Sequence, residues 1–89
     1  MIFEFDRRKS SSNKSKHGID FVEAQALWED PDRLVIPARA VDEQRFMIIG
    51  NVAGTFWSAI FTTREKNVKI IPIRRSRKEE VELYESEGI

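Results

Sequence analysis

Residues 45–73, RFMIIGNVAGTFWSAIFTTREKNVKIIPI, contain three apolar segments separated by two short connections, a predicted turn at residues 51–54 and a polar hairpin loop at residues 64–67. The apolar segments are residues 45–50, 55–62 and 68–73. Each has the length of a strand and is rich in β-branched or aromatic residues, which favour pleated structure. Because strands joined by short turns pair antiparallel, this region predicts a β-meander with residues 55–62 at its centre.

Further strands are predicted before this meander. Leu34-Val35-Ile36 is a short apolar run, and the following proline, Pro37, is expected to end it. Ile2-Phe3-Glu4-Phe5 alternates as a half-buried first strand does. Within the last strand, Pro72 has no amide N–H and predicts an interruption of pairing near the strand end.

A polar helix is predicted after the first strand. Asp6 can cap its beginning, and Gly18 suits the left-handed residue that ends many helices. The segment from Arg7 to Lys16 contains no apolar residue, so this helix is expected to be exposed and marginal.

Two capping boxes, in which Glu follows Asp or Ser by three residues, predict two more helices. Asp20–Glu23 opens an amphipathic helix over residues 21–29, and Ser76–Glu79 opens a last helix. The element order predicts an α+β fold in a single domain, residues 1–89. We expect a twisted antiparallel sheet with two N-terminal helices and one C-terminal helix packed against it.

Composition excludes several kinds of site. The chain has no cysteine and one histidine, so disulfides and the common zinc sites cannot form. Its four glycines are isolated and make no phosphate-binding loop, so neither a cofactor nor a metal is expected. No apolar run approaches the roughly 20 residues of a membrane span, and the N-terminus does not resemble a signal peptide. A reducing cytoplasm is the expected compartment.

Charge is balanced overall but unevenly distributed. Fifteen basic and fifteen acidic residues give zero net charge, which is unusual for a protein that binds nucleic acid by charge alone. The basic clusters are Arg7, Arg8, Lys9, Lys14 and Lys16, and then Arg74, Arg75, Arg77 and Lys78. These clusters indicate a local anion site, and scattered solvated charge is the alternative interpretation.

Lys16 and His17 are candidates for chemistry on a phosphate. Imidazole is the side-chain group whose ordinary pKa lies closest to neutral pH, which suits general acid–base catalysis. The end of an exposed helix is the structural alternative for both residues. Arg45 and Arg74 lie at strand ends, where a guanidinium can clamp phosphate oxygens or pair with a carboxylate.

Several short motifs, taken in order, resemble the BrnT-type toxins over nearly the whole chain. The N-terminal motifs are Phe3-Glu4-Phe5-Asp6, Lys9, Asn13, Lys16-His17-Gly18, Phe21, Glu23-Ala24 and Asp30-Pro31. The later motifs are Arg45-Phe46, Ile49-Gly50, and Ile70-Ile71-Pro72-Ile73-Arg74 followed by Glu80 and Tyr84.

The resemblance implies a RelE-like fold and a bacterial type II toxin that inhibits translation by cleaving RNA. It also implies a partner, an antitoxin similar to BrnA. That antitoxin is a DNA-binding protein, and the pair forms a heterotetramer that binds the operator of its own operon through the antitoxin.

A ribonuclease without metal can use the 2′-hydroxyl of RNA as its nucleophile and leave a 2′,3′-cyclic phosphate. In this hypothesis Arg45 and Arg74 clamp the phosphate oxygens on which charge builds in the transition state. His17 acts as base or acid, and Lys16 adds charge stabilisation. The residues expected to bind the RNA backbone are Arg75, Arg77 and Lys78.

Two other functions remain open from the sequence. The first is a non-catalytic nucleic-acid-binding domain, which would bind RNA in a salt-sensitive way without cleaving it. The second is a protein-interaction module, such as a degenerate toxin whose exposed sheet edge is covered by a partner.

Overall fold

A computed structural model of the chain describes residues 1–39 and 42–87. Its strands are β1 (Ile2–Glu4), β2 (Leu34–Ala38), β3 (Arg45–Val52), β4 (Thr55–Arg64) and β5 (Asn67–Arg75). Its helices are α1 (Arg7–His17), a 3₁₀ helix (Glu23–Glu29) and α2 (Lys78–Glu87). None of the helices in these ranges is long and apolar enough to cross a membrane.

The strands form one sheet in the order β1-β5-β4-β3-β2. The predicted meander is confirmed, because β2 to β5 pair antiparallel with their neighbours in sequence. The prediction of a wholly antiparallel sheet is wrong, because β1 pairs parallel with β5, with Ile2 opposite Asn67. The alternating pattern of residues 2–5 does not indicate which strand β1 pairs with. Parallel strands need a long connection between them, and here that connection begins with α1.

The two hairpin turns are tighter than predicted. Ala53 and Gly54 alone join β3 to β4, both with positive φ (51° and 88°), as a type I′ turn requires. Asn51, expected in the turn, belongs to β3, and its Oδ1 accepts a hydrogen bond from the Gly54 N–H at 2.9 Å. Pro37 does not end β2 as predicted; it lies within it, opposite Phe46. An edge strand tolerates proline because one side of it has no partner strand.

The predicted interruption at Pro72 is confirmed. Ala59 lies opposite Ile73 and Phe61 opposite Ile70, so β5 has one more residue than β4 in this interval. This bulge places both Ile70 and Ile73 in the buried core.

The core lies between the sheet and the 3₁₀ helix. Phe21, Ala24 and Leu27 pack against strand residues that include Ile48, Trp57 and Ile73. The Asp20–Glu23 capping box forms in both directions, since Asp20 Oδ1 accepts from the Glu23 N–H at 2.7 Å and Glu23 Oε1 accepts from the Asp20 N–H at 3.0 Å. The predicted second helix ends at Glu29 as expected, but it starts two residues later than predicted, at Glu23, and it is a 3₁₀ helix.

Polar contacts, in place of an apolar face, hold α1 on the sheet. Asp6 caps its first turn, and Gly18 ends it with φ of 86°, as predicted. Ser10 Oγ accepts from the Phe21 N–H at 2.9 Å. The buried Asn13 amide donates to the Ile19 carbonyl at 2.8 Å and accepts from the Ile73 N–H at 3.2 Å.

The last helix, α2, packs on the sheet with Tyr84 against Phe56, at 5.2 Å between ring centroids. Its predicted capping box, Ser76–Glu79, is wrong by one position. Glu80, one residue later, accepts from the Arg77 N–H at 2.8 Å, and Ser76 bonds the Ser58 hydroxyl instead.

Gly50 is required by a close approach between β3 and the 3₁₀ helix. A Cβ at this position would lie 2.9 Å from Leu27 Cδ2 and 3.4 Å from Asp30 Oδ2. Because Leu27 is fully buried, we expect Gly50→Ala to lower the free energy of unfolding by about 1–3 kcal/mol in urea denaturation. In a Leu27→Ala background the same change should cost less than half as much. An equal cost in both backgrounds would show that the contact with Leu27 is not the cause.

Candidate active site

Two adjoining cavities lie between α1 and β5. The first has a volume of about 330 Å³ and is lined by Lys9, Ser12, Asn13, Lys16, His17, Phe21, Ile71 and Pro72. The second has a volume of about 150 Å³ and is lined by Asp6, Lys9, Glu43, Arg45, Lys69, Ile70 and Ile71. Lys9 and Ile71 line both, so the two cavities form one continuous surface.

The first cavity has the chemistry of an anion site. Its ionisable lining residues are Lys9, Lys16 and His17, and no carboxylate lines it. All three side chains are exposed on α1. Lys9 and Lys16 are two turns apart and so lie on the same side of the helix. An anion in this cavity would meet two ammonium groups and an imidazole without a competing negative charge.

The second cavity is only weakly basic. Arg45 and Lys69 line it together with Lys9, and two carboxylates, those of Asp6 and Glu43, reduce its formal charge to +1. The Asp6 carboxylate accepts from the N–H groups of Arg8 and Lys9 at 2.8 and 3.2 Å and so has a structural role. This cavity can therefore assist in binding an anion, but its two carboxylates weaken the attraction.

Arg74 lies on the other face of the sheet from Trp57. It is opposite Ser58 in the β4–β5 register, and opposed side chains share a face. Its guanidinium donates to both carboxylate oxygens of Glu80, each at 2.7 Å. Because 31% of Arg74 and 12% of Glu80 is exposed, this pair is partly shielded from water. The ion pair that sequence analysis left open for Arg74 is thus present.

Glu80 is the centre of a network that joins α2 to the sheet. Besides Arg74, it accepts from Ser58 Oγ at 2.9 Å and from the Arg77 N–H at 2.8 Å. The bond from Arg74, together with these two, outweighs the effect of burial and lowers the pKa of Glu80 to about 2. The same bond raises the pKa of Arg74.

The other predicted RNA-binding residues lie outside both cavities. Arg75 is exposed and stands over the Trp57 ring, 5.8 Å from its centroid. Arg77 and Lys78 are exposed at the start of α2. The structure therefore brings Lys16, His17 and Arg45 onto one surface, and it places Arg74, Arg77 and Lys78 on or beside α2.

Asp30 and Tyr84 form a second link between α2 and the rest of the fold. Asp30 Oδ2 accepts from the Tyr84 hydroxyl and from the Asn51 N–H, both at 2.8 Å. Burial raises the pKa of Asp30, but these bonds and that from the Asp32 N–H outweigh it and lower the pKa. Burial, and then the bond to Asp30, raise the pKa of Tyr84 to about 12.

Lys9 and Lys69 are the basic cavity residues that had no individual role in the sequence-based hypothesis, although Lys9 belongs to the first basic cluster. The spacing of Lys9 and Lys16, seven residues apart on a helix, was a signal that could have identified Lys9. Lys69 had no such signal, because its place in the site depends on the packing of α1 along β5. No group of three or more potential metal ligands was found among the described residues.

The fold and this surface define a small α+β protein with a basic, histidine-containing site suited to a phosphate-bearing ligand. Residues 5–80 match the family described as "Ribonuclease toxin, BrnT, of type II toxin-antitoxin system". Because the match covers most of the chain, the protein belongs to the BrnT toxin family, and the resemblance found in its sequence is confirmed. No curated protein matched the chain. Membership implies ribonuclease activity and an antitoxin partner.

Proposed function

We propose that this protein is a metal-free RNA endonuclease that inhibits translation in the bacterial cytoplasm. Two facts support the proposal: the chain belongs to a family of ribonuclease toxins, and its first cavity combines His17 with two lysines and no carboxylate. The second fact carries the proposal, because RNA supplies its own nucleophile and needs only proton transfer and charge stabilisation.

The proposed reaction is transesterification within RNA. The 2′-oxygen attacks the adjacent phosphorus and loses its proton to a base, and the 5′-oxygen of the next nucleotide leaves and gains a proton. The products are a 2′,3′-cyclic phosphate and a 5′-hydroxyl. His17 transfers one of these protons, and Lys16 and Arg45 stabilise the charge that develops on the phosphate oxygens.

Arg74 is the fourth residue of the proposed catalytic set, and Glu80 competes with phosphate for its guanidinium. The two nitrogen atoms that would bind phosphate oxygens donate to the Glu80 carboxylate. The proposal for Arg74 therefore requires an RNA phosphate to replace the Glu80 carboxylate as its partner. The variants Glu80→Gln and Arg74→Ala distinguish a phosphate-binding Arg74 from a purely structural one. If Arg74 binds phosphate, Arg74→Ala should lower the cleavage rate per folded molecule and Glu80→Gln should not. A structural Arg74 leaves that rate at the wild-type value in both variants.

Arg75, Arg77 and Lys78 are proposed to bind the RNA backbone. All three are exposed at the end of β5 and the start of α2. Their contribution should be electrostatic, so it should weaken as salt rises.

The proposed partner is a BrnA-like antitoxin that forms a heterotetramer with the toxin and binds operator DNA. Covering the two cavities would be the simplest way for it to inhibit cleavage. A competition experiment tests this mode of inhibition: the antitoxin should displace an RNA oligonucleotide from the purified toxin.

A non-catalytic RNA-binding module is the second candidate function. The observation in its favour is the ion pair that occupies Arg74. It predicts that the protein binds RNA in a salt-dependent manner and releases no fragments.

Induction of the chain alone in a bacterial host tests the proposal. Growth arrest with rapid loss of messenger RNA is expected, and His17→Ala should abolish both. Lys14→Gln is the matched control, since Lys14 lies on the same helix but lines neither cavity. Normal growth and intact RNA, with the folded wild-type protein present, would favour the non-catalytic module.

A further inference from the structure

Most polar residues that carry the family resemblance are used by the fold itself. They cap helices, bridge elements or pair with one another within hydrogen-bond distance. These residues are Asp6, Asn13, Glu23, Asp30, Arg74, Glu80 and Tyr84. Each of them has a structural role, and for Arg74 the proposed phosphate-binding role is additional to it.

Four basic motif residues have no such use among the described contacts, and neither has the acidic Glu4, which lines neither cavity. Within residues 1–39 and 42–87, the side chains of Lys9, Lys16, His17 and Arg45 take part in none of the hydrogen bonds or ion pairs. All four line the two adjoining cavities, and Lys9 lines both. Three of the four are catalytic candidates from the sequence, whereas Lys9 was predicted only as a member of the first basic cluster.

We propose that Lys9 is a substrate-positioning residue that binds the RNA backbone where the two cavities meet. In this arrangement the scissile phosphate lies in the first cavity, beside Lys16 and His17. A neighbouring phosphate of the same strand lies in the second cavity, beside Lys69. This inference rests on the proposed function, because it assumes that the ligand is RNA.

The geometry favours Lys9 over the other cations of α1. Lys14 donates to Glu23 at 2.7 Å, so its charge is already paired with a carboxylate. Lys9 keeps its ammonium group for a ligand, and it lies two turns before Lys16 on the same side of α1. Lys69 reaches the second cavity from β5 and Arg45 from the start of β3, so the cations on this surface come from three elements.

Salt-dependent binding of an uncleavable RNA tests the inference. The probe is a fluorescein-labelled pentauridylate with 2′-O-methyl sugars, measured by fluorescence anisotropy over a range of KCl concentrations. Each lysine that neutralises a phosphate of a single strand contributes about 0.7 to the slope of log K against log salt. We expect Lys9→Gln and Lys69→Gln each to reduce the slope by about 0.7 and to weaken binding several-fold. Lys14→Gln should leave the slope unchanged.

A dinucleotide probe locates the two phosphate positions. A 2′-O-methyl uridine dinucleotide has one internucleotide phosphate, so it can occupy only one cavity at a time. Lys69→Gln should therefore affect its binding less than it affects the pentamer. Thermal unfolding of each variant within about 2 °C of wild type confirms that only the surface has changed.

Equal salt slopes for Lys9→Gln and Lys14→Gln would overturn the inference, as would a wild-type protein that does not bind the pentamer. These outcomes are distinct from failure of the proposed function. A wild-type protein that binds in this pattern but does not cleave RNA would refute catalysis and support the role of Lys9. If the wild-type protein cleaves RNA but Lys9→Gln keeps the full salt slope, catalysis is supported and the role of Lys9 is refuted.

Discussion

Glu80→Ala is expected to lower the free energy of unfolding by about 2–3 kcal/mol at pH 7. The substitution removes the acceptor for both Arg74 nitrogens, for Ser58 Oγ and for the Arg77 N–H. It leaves the partly buried guanidinium without a counterion, which is more costly than losing an exposed pair. Urea denaturation measures the change.

The adjacent exposed Glu79 supplies the matched control for this prediction. Glu79→Ala should change the free energy of unfolding by no more than about 0.5 kcal/mol. Similar effects of both substitutions would show that the network around Glu80 contributes little and that only helix charge matters.

The cost of Glu80→Ala should also depend on pH. The pKa of Glu80 is about 2 in the folded protein, against an ordinary value of 4.5. A lowered carboxyl pKa stabilises the fold above the unfolded value, and that stabilisation is lost as pH falls from about 4.5 toward 2. Wild type and variant should therefore converge in stability at acid pH. A difference that stays constant from pH 7 to pH 2.5 would contradict this.

His17→Ala is expected to lower the single-turnover rate of RNA cleavage by about 10²- to 10⁴-fold, the usual contribution of a general acid or base. Stability should not change, because the side chain is exposed at the end of α1. Cleavage of a labelled RNA, with thermal unfolding of the same samples, gives both values.

Ser15→Ala is the control for His17→Ala, since Ser15 is exposed in the same turn and lines neither cavity. It should cleave at the wild-type rate. A His17→Ala variant that also keeps the wild-type rate would exclude the imidazole from proton transfer. Catalysis would then have to be assigned to the lysines and arginine of the same surface.

Local signals in the sequence predicted most of the fold. Asp6 and Gly18 marked both ends of α1, and the bulge at Pro72 followed from its missing N–H. The predictions that were wrong concerned residues whose partners lie far away in the sequence. The parallel pairing of β1 joins residues more than sixty positions apart. The last capping carboxylate, that of Glu80, also accepts from Ser58 and Arg74 of the sheet, which lie far from it or outside the capping pattern in sequence.

The site was harder to predict than the fold, because a motif residue can serve either structure or chemistry. Arg74 and His17 looked equivalent in sequence, yet Arg74 pairs with Glu80 and His17 lines a cavity. The role of Lys69 depends on which strand packs along α1. Only the three-dimensional arrangement separates these cases.

Analysis of the ends of cleaved RNA tests the proposed ribonuclease activity most directly. The purified protein is incubated with messenger RNA, either free in EDTA or bound to ribosomes in a buffer that contains Mg²⁺, and with the same RNA carrying 2′-deoxy sugars at the cleavage sites. We predict fragments with 2′,3′-cyclic phosphate and 5′-hydroxyl ends from the unmodified RNA, and none from the substituted RNA. Intact RNA in both settings, or cleavage of the 2′-deoxy sites, would contradict the proposed mechanism.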